Sequence, residues 1–211
     1  TINFLIIRAF KSITGLASES WQYRHHTVET LMNQMIAIIG TAGRDKTKPM
    51  TKALWGAMQR DALGRVPKGA HVCSGGAAWA DHLAVFLFLY GHADRITLHL
   101  PAPLNDTQFL GQFGTAGGAA NYYHGLFSRA IDRDTLADVI ECARAEKCDG
   151  TFEPAGSGMS AMFQRNQKVA QCGSMIAYTW GEGDLPADGG TRHTWDRCRG
   201  TKVHVPLGSL I

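Results

Sequence analysis

The run M-I-A-I-I-G-T-A-G-R, residues 35 to 44, holds five apolar residues in a row and then turns abruptly small and polar. A short, continuous, β-branched apolar run is how a strand buried on both faces of a parallel sheet reads. Gly40 stops it, and Pro49 to Leu63 then carries Met50, Ala53, Leu54, Ala57, Met58 and Leu63 at helical spacing, with Pro49 suited to a first turn. The pattern repeats downstream. Ala70 to Cys73 reads as a strand, Ser74-Gly75-Gly76 as a turn, Ala77 to Tyr90 as a strongly apolar helix closed by Gly91, and Arg95 to Leu100 as a third strand stopped by Pro101.

Residues 102–158 lose this regularity. Glycines cluster there at Gly111, Gly114, Gly117 and Gly118, and a single amphipathic helix is expected from Asp132 to Lys147, so the segment reads as an insertion or lid over the sheet edge. Order returns with a helix from Met159 to Gln171, a strand at Ser174 to Trp180, a Gly189-Gly190 loop, a helix from Thr191 to Arg199 and a last strand at Lys202 to Val205. Alternating strands and helices predict an α/β domain, a Rossmann-like parallel sheet flanked by helices, over residues 35–211. Residues 1–34 form an N-terminal extension, read as an appendage to the domain, although Thr1 to Ala17 mixes apolar residues with Arg8 and Lys11 in a way that also suits a targeting peptide.

The 211 residues are 45% hydrophobic, enough for a substantial core, while a net charge of +3 and 18% charged residues give no basic field that demands nucleic acid. The longest apolar runs, such as Ala84 to Tyr90, fall short of a membrane span, so no membrane partner is expected. Five cysteines without a C-x-x-C pair argue against a disulfide framework and a structural zinc, which fits the cytoplasm or another reducing compartment such as an organellar matrix. The nine histidines gather into no ligand spacing, and neither a metal nor a cofactor is expected. Gly156-Ser157-Gly158 lacks the strand and helix flanks of a serine-hydrolase elbow and reads as a loop.

Ligands of open parallel sheets sit beyond the strand ends, at loops feeding helix N-termini. Three turns have that composition. In Gly40-Thr41-Ala42-Gly43-Arg44 the glycines admit close backbone approach, Thr41 offers a hydroxyl and Arg44 a bidentate cation, without the spacing of a Walker loop. Ser74-Gly75-Gly76 leads to Asp81, and Gly189-Gly190-Thr191 opens the last helix beside His193. Arg165 and Asn166 add polar groups before the fourth expected strand. The expected ligand is a nucleotide-like small molecule. For a hydrolytic alternative, Asp81, His193 and Asp196 are the candidate general acids or bases. Trp79 and Trp195 lie beside these turns as base-stacking candidates, core packing being the commoner use. The apolar Ala77–Tyr90 helix could also pair two copies of the chain.

Taken in order, G-T-A-G-R, S-G-G-A-A-W-A-D-H-L-A, R-N-Q-K-V-A and G-G-T-R-H-T-W-D-R-C followed by K-V-H-V-P resemble the SLOG superfamily of Rossmann-like nucleotide-binding proteins, over Met35 to Pro206. The YspA/YpsA-related branch is most similar, with DNA-processing protein A and the lonely-guy phosphoribohydrolases more distant. The resemblance implies ligand binding at Gly40 to Arg44, Ser74 to Gly76, Asp81, Arg165, Asn166 and Gly190-Thr191. In the lonely-guy enzymes a P-G-G-x-G-T-x-x-E motif supplies a glutamate that assists N-glycosidic cleavage. Matching its G-T to Gly190-Thr191, the preferred match, puts Thr194 at the glutamate position; matching its G-G to Gly189-Gly190 puts Asp196 there. Binding as a sensor or assembly subunit, and hydrolysis of a nucleotide's N-glycosidic or phosphoryl bond, are the two functions the residues admit.

Overall fold

The computed structural model describes residues 34–48, 50–154, 158–186 and 189–211. The expectations for the N-terminal extension up to residue 33, for Pro49 at a helix start and for Gly156-Ser157 fall outside the described residues.

Six strands form one fully parallel sheet: β1 (Ile36–Gly40), β2 (His71–Ser74), β3 (Arg95–Leu100), β4 (Cys148–Phe152), β5 (Ser174–Thr179) and β6 (Thr201–Pro206), in the order β4-β3-β2-β1-β5-β6. Six helices flank it: α1 (Lys52–Arg65), α2 (His82–Leu89), α3 (Ala116–Ile131), α4 (Thr135–Arg144), α5 (Ser160–Val169) and α6 (Gly190–Arg197). The chain is an α/β protein with a Rossmann-like arrangement. None of its described helices is long and apolar enough to cross a membrane.

Side chains alternate across β1 as the pleat requires. Ile38 joins a large core with Leu54, Met58, Leu83, Leu87, Phe127 and Val139 from α1 to α4. Its neighbours Ala37 and Ile39 join a smaller core with Val169 and Trp195 from α5 and α6. Both faces of the strand are therefore dry, which is why its sequence is an unbroken apolar run rather than an alternating one.

Residues 102–158 are helical and loop-rich, and they also supply an element of the sheet. β4 pairs with β3 from Ile96↔Cys148 to Leu100↔Phe152. Its sequence, C-D-G-T-F, is exposed along the sheet edge and carries neither alternation nor an apolar run, so no periodic signal marks it. α3 was hidden for a related reason: it opens A-G-G-A-A, a poor helix start. Thr115 caps it by accepting from Gly118 N at 3.2 Å, and Gly117 and Gly118 are needed because a Cβ on either would strike the carbonyls of Leu110 or Gln112.

The expected Ala77–Tyr90 helix begins later than the sequence suggests. Trp79–Asp81 form a 3-10 turn with Trp79 at φ 63°, ahead of α2. The Trp79 indole is buried against Phe127 at 4.2 Å and edge-on to Trp55 at 6.5 Å. α2 is apolar on most sides because α1 and α4 pack on it within the chain; Phe86, Phe88 and Leu89 are only partly buried and Tyr90 is exposed.

Candidate functional site

The strand order sets the site. From β1 the chain steps through β2 and β3 to β4, then crosses back to place β5 on β1's other side. α1 packs in one core and α6 in the other, so the loops leaving β1 and β5 diverge and open a crevice between them, the switch point where ligands of such sheets bind. A cavity of about 420 Å³ lies there, within the roughly 300–1,000 Å³ usual for small-molecule sites.

Its floor is backbone. Gly40 ends β1 where a Cβ would lie 2.0 Å from the Tyr178 carbonyl oxygen and 2.6 Å from the Ala80 Cβ; only glycine fits. Thr41 N donates to Tyr178 O at 2.9 Å, and the Thr41 hydroxyl accepts from Gly43 N at 3.1 Å, holding the loop that carries Ala42 and Arg44 to the rim. Gly43 turns at φ 70° beneath the Trp79 indole.

The opposite wall is the start of α6. Gly189, Gly190, Thr191 and Thr194 line the cavity, and Thr191 Oγ1 donates to Gly40 O at 2.9 Å, fastening α6 to the end of β1. Among the described residues no side chain caps the helix. Its first-turn N–H groups have no intrahelical acceptors and carry the positive end of the helix dipole. Asn166 Nδ2 donates to Gly190 O at 3.4 Å from α5.

Beneath the cavity lies a buried ion pair. Arg165 Nη1 donates to Asp81 Oδ2 at 3.1 Å and also to the Gly75 carbonyl. Burial raises the Asp81 carboxyl, opposed by Arg165 and by the backbone N–H groups of Ala77 and Gly40, and burial likewise lowers the Arg165 guanidinium. Arg165 Nε is buried without a partner among the described residues. Arg44 and Lys48 stand at the mouth, neither in an ion pair among the described residues, with the Arg44 guanidinium 5.1 Å from the centre of the Tyr123 ring. Asp45 shares the rim but accepts from Thr47 N and Oγ1. The lining also has an apolar part: Met159, Met162 and Phe163 of the α5 segment, and Trp180 just past β5.

The structure thus gathers Gly40, Thr41, Ala42, Arg44, Asp81, Arg165, Asn166, Gly189, Gly190 and Thr191 around one hollow. Others of the expected residues stand elsewhere. Ser74 is fully buried, its hydroxyl donating to Asp81 O at 2.8 Å and accepting from Gly76 N at 3.1 Å. Gly75 makes room for Arg165, since a Cβ there would lie 1.7 Å from Nη1. The second turn is therefore the seat of the ion pair and not a wall of the cavity. Gly43 shapes the rim loop without lining it.

Two further expected residues lie off the cavity. Gly190, Thr191 and Thr194 line it, and at 100° per residue position 196 falls on the opposite side of α6. Asp196 is exposed and bound to Arg192 at 2.8 Å, and the His193 ring meets Phe163 edge-on at 5.4 Å, neither of them lining the hollow. Trp79 and Trp195 are core residues. The tryptophan at the site is Trp180, whose place immediately after a strand bordering the crevice was a usable signal. Lys48 and the Met159–Phe163 wall had none, because a loop lysine and a moderately apolar helix start occur everywhere.

Fold and cavity together define a parallel α/β protein with an open cavity at the sheet's switch point. Among known proteins, the uncharacterized protein R261 of Acanthamoeba polyphaga mimivirus is 29% identical over 140 residues, covering 65% of this chain and 71% of its own. No family model and no solved structure matches.

Proposed function

We propose that this protein binds a phosphate-bearing nucleotide or nucleotide-derived molecule in the switch-point cavity, as a sensor or assembly subunit. The observation that carries the reading is the mixed chemistry of one hollow. Its lining brings together two sets of groups: the N-terminus of α6, the Gly40–Ala42 backbone and the cations Arg44 and Lys48, and the apolar Met159, Met162, Phe163 and Trp180. The first suits an anion and the second a flat, partly apolar ring system. The four motifs resembling SLOG proteins support the same reading.

Hydrolysis is the second function the residues admit, and the geometry disfavours it. Asp81 is the one expected acid–base group at the cavity, and it already accepts from Arg165, Ala77 N and Gly40 N. Thr194, at the preferred match to the lonely-guy glutamate, offers a hydroxyl that donates to Gly190 O at 2.8 Å.

Thermal-shift titration with AMP, ADP-ribose and inorganic phosphate tests the proposal. Saturating ligand at 100 times Kd adds about 2.7 kcal/mol to apparent stability. The double change Arg44→Ala with Lys48→Ala is expected to weaken binding at least about ten-fold while leaving the unliganded melting temperature in place. No shift with any of the three at millimolar concentration overturns the proposal, and chromatographic detection of a released base transfers the assignment to the hydrolase.

A further inference from the structure

Trp180 contributes its indole to the cavity lining, although it opens a loop, W-G-E-G at residues 180 to 183, whose two glycines would by themselves leave it loosely placed. A residue outside the lining holds that loop. His204 of β6 lines no part of the cavity, yet its two ring nitrogens reach the chain on either side of Trp180. Nε2 lies 2.8 Å from Thr179 Oγ1, and Nδ1 lies 2.7 Å from Gly183 O. The Thr179 hydroxyl also accepts from Gly181 N at 3.1 Å, closing a small turn around Trp180.

The hydrogens run one way through this cluster. A carbonyl oxygen only accepts, so His204 Nδ1 carries the hydrogen that goes to Gly183. The neutral ring then presents Nε2 as an acceptor, and the Thr179 hydroxyl donates to it while its oxygen takes the Gly181 N–H. The ring itself is anchored: β6 pairs with β5 at Ala177↔His204, and the Trp195 indole of α6 meets the imidazole edge-on at 6.4 Å. Trp180 in turn packs against the larger core.

We propose that His204 is a positioning residue for ligand specificity: by bracketing Trp180 it fixes the indole where a planar heterocycle can stack, so that the cavity prefers a base-bearing phosphate to a sugar phosphate without a base. The inference rests on the nucleotide reading above. Ordering a glycine-rich loop costs backbone entropy. Four residues tied down in the free protein meet that cost before the ligand arrives, and what remains is spent on stacking. The phosphate end is separate from this effect, because Arg44, Lys48 and the start of α6 make none of the bonds in the cluster.

Calorimetric titration of the whole chain with AMP and with ribose 5-phosphate, which keeps the phosphate and sugar but has no base, tests this. His204→Ala is expected to weaken AMP binding about ten-fold, as loss of a stacking partner does, and to change ribose 5-phosphate binding by less than about two-fold. Trp180→Ala is expected to give the same contrast, and His204→Ala added to it no further loss for AMP, because the two changes remove one interaction. His204→Asn, whose amide nitrogen takes the place of Nδ1 and keeps a donor for Gly183, loses the bond to Thr179 alone and reads the same contrast where the alanine variant folds poorly. Equal losses for the two ligands, no loss for AMP, or an undiminished loss in the Trp180→Ala background overturns the proposal and leaves the nucleotide reading standing. A wild-type chain that binds neither ligand overturns both.

Discussion

Arg165 on α5 and Asp81 at the start of α2 meet at 3.1 Å, each side chain 9% exposed, and between them they join the layers on opposite faces of the sheet. The pair sits under the cavity floor and takes the Gly75 carbonyl as a third partner. Removing one member leaves the other charged and desolvated, which costs about 3–5 kcal/mol. Chemical denaturation of Asp81→Asn and Arg165→Met is expected to show losses of that order. The double change Asp81→Leu with Arg165→Met is expected to cost less than their sum, because no lone charge remains. Additive losses would mean the two side chains act independently.

Two glycines of the expected binding turns are predicted to behave oppositely. A Cβ on Gly75 would lie 1.7 Å from Arg165 Nη1 and 2.9 Å from Asp81 Oδ2, so Gly75→Ala expels the guanidinium and costs about as much as losing the pair, roughly 3–5 kcal/mol. Gly190 has ordinary helical backbone, and a methyl group there would meet only the Asn166 amide, at 3.5 Å. Gly190→Ala is therefore expected to change stability by no more than about 1 kcal/mol, in the stabilising direction, while crowding the cavity and weakening ligand binding. Melting curves of the two variants, run with and without AMP, check both statements.

Acid is expected to unfold this protein early. His124 Nε2 donates to Gly76 O at 3.0 Å and its Nδ1 bonds the Thr135 hydroxyl at 2.9 Å, and burial lowers its pKa to about 3; burial likewise lowers His99 to about 4. In the unfolded chain both titrate near 6.5. Below that value the unfolded state binds protons that the folded state refuses, so the stability these groups contribute is complete above pH 6.5 and declines as the pH falls toward 4. Two such groups give a slope of up to about 2.7 kcal/mol per pH unit. Urea unfolding at a series of pH values between 7.5 and 4.5 measures it, and a flat profile would show that the two rings are protonated in the fold.

Asp138 adds a second acid-sensitive contribution at lower pH. Burial works to raise its carboxyl, but bonds from His82 at 3.2 Å and from Arg133 at 2.7 and 2.8 Å outweigh it and bring the pKa to about 2. A depressed carboxylate stabilises the fold above its unfolded value near 3.8 and loses that contribution as the pH falls through about 2, a total of about 2 kcal/mol. Asp138→Asn is expected to lower stability at pH 7 by about that amount and to leave it nearly unchanged near pH 2, if measured in a variant or solvent that stays folded there.

Much of the architecture can be read directly from local pattern. The runs at Met35 to Ile39 and Ser174 to Trp180 are largely apolar because their strands are buried on both faces, and burial of that kind is written into composition. The glycines at Gly40 and Gly189 were legible for a similar reason: Gly40 stands where a strand end meets the Tyr178 carbonyl, and Gly189 starts a helix at φ 108°. Such requirements are local, and a single chain segment states them.

What the tertiary structure alone decided was which of those turns share a space. The order β4-β3-β2-β1-β5-β6 makes neighbours of the loops after β1 and β5, 139 residues apart by their strand ends at Gly40 and Thr179, and no local pattern encodes that distance. It placed Gly75 under Arg165 rather than at a ligand, left Asp196 and His193 out of the cavity lining, brought Trp180 to the wall, and gave C-D-G-T-F a partner strand at the sheet edge. Side-chain direction and strand adjacency follow from long-range packing, where each residue's role depends on what arrives opposite it.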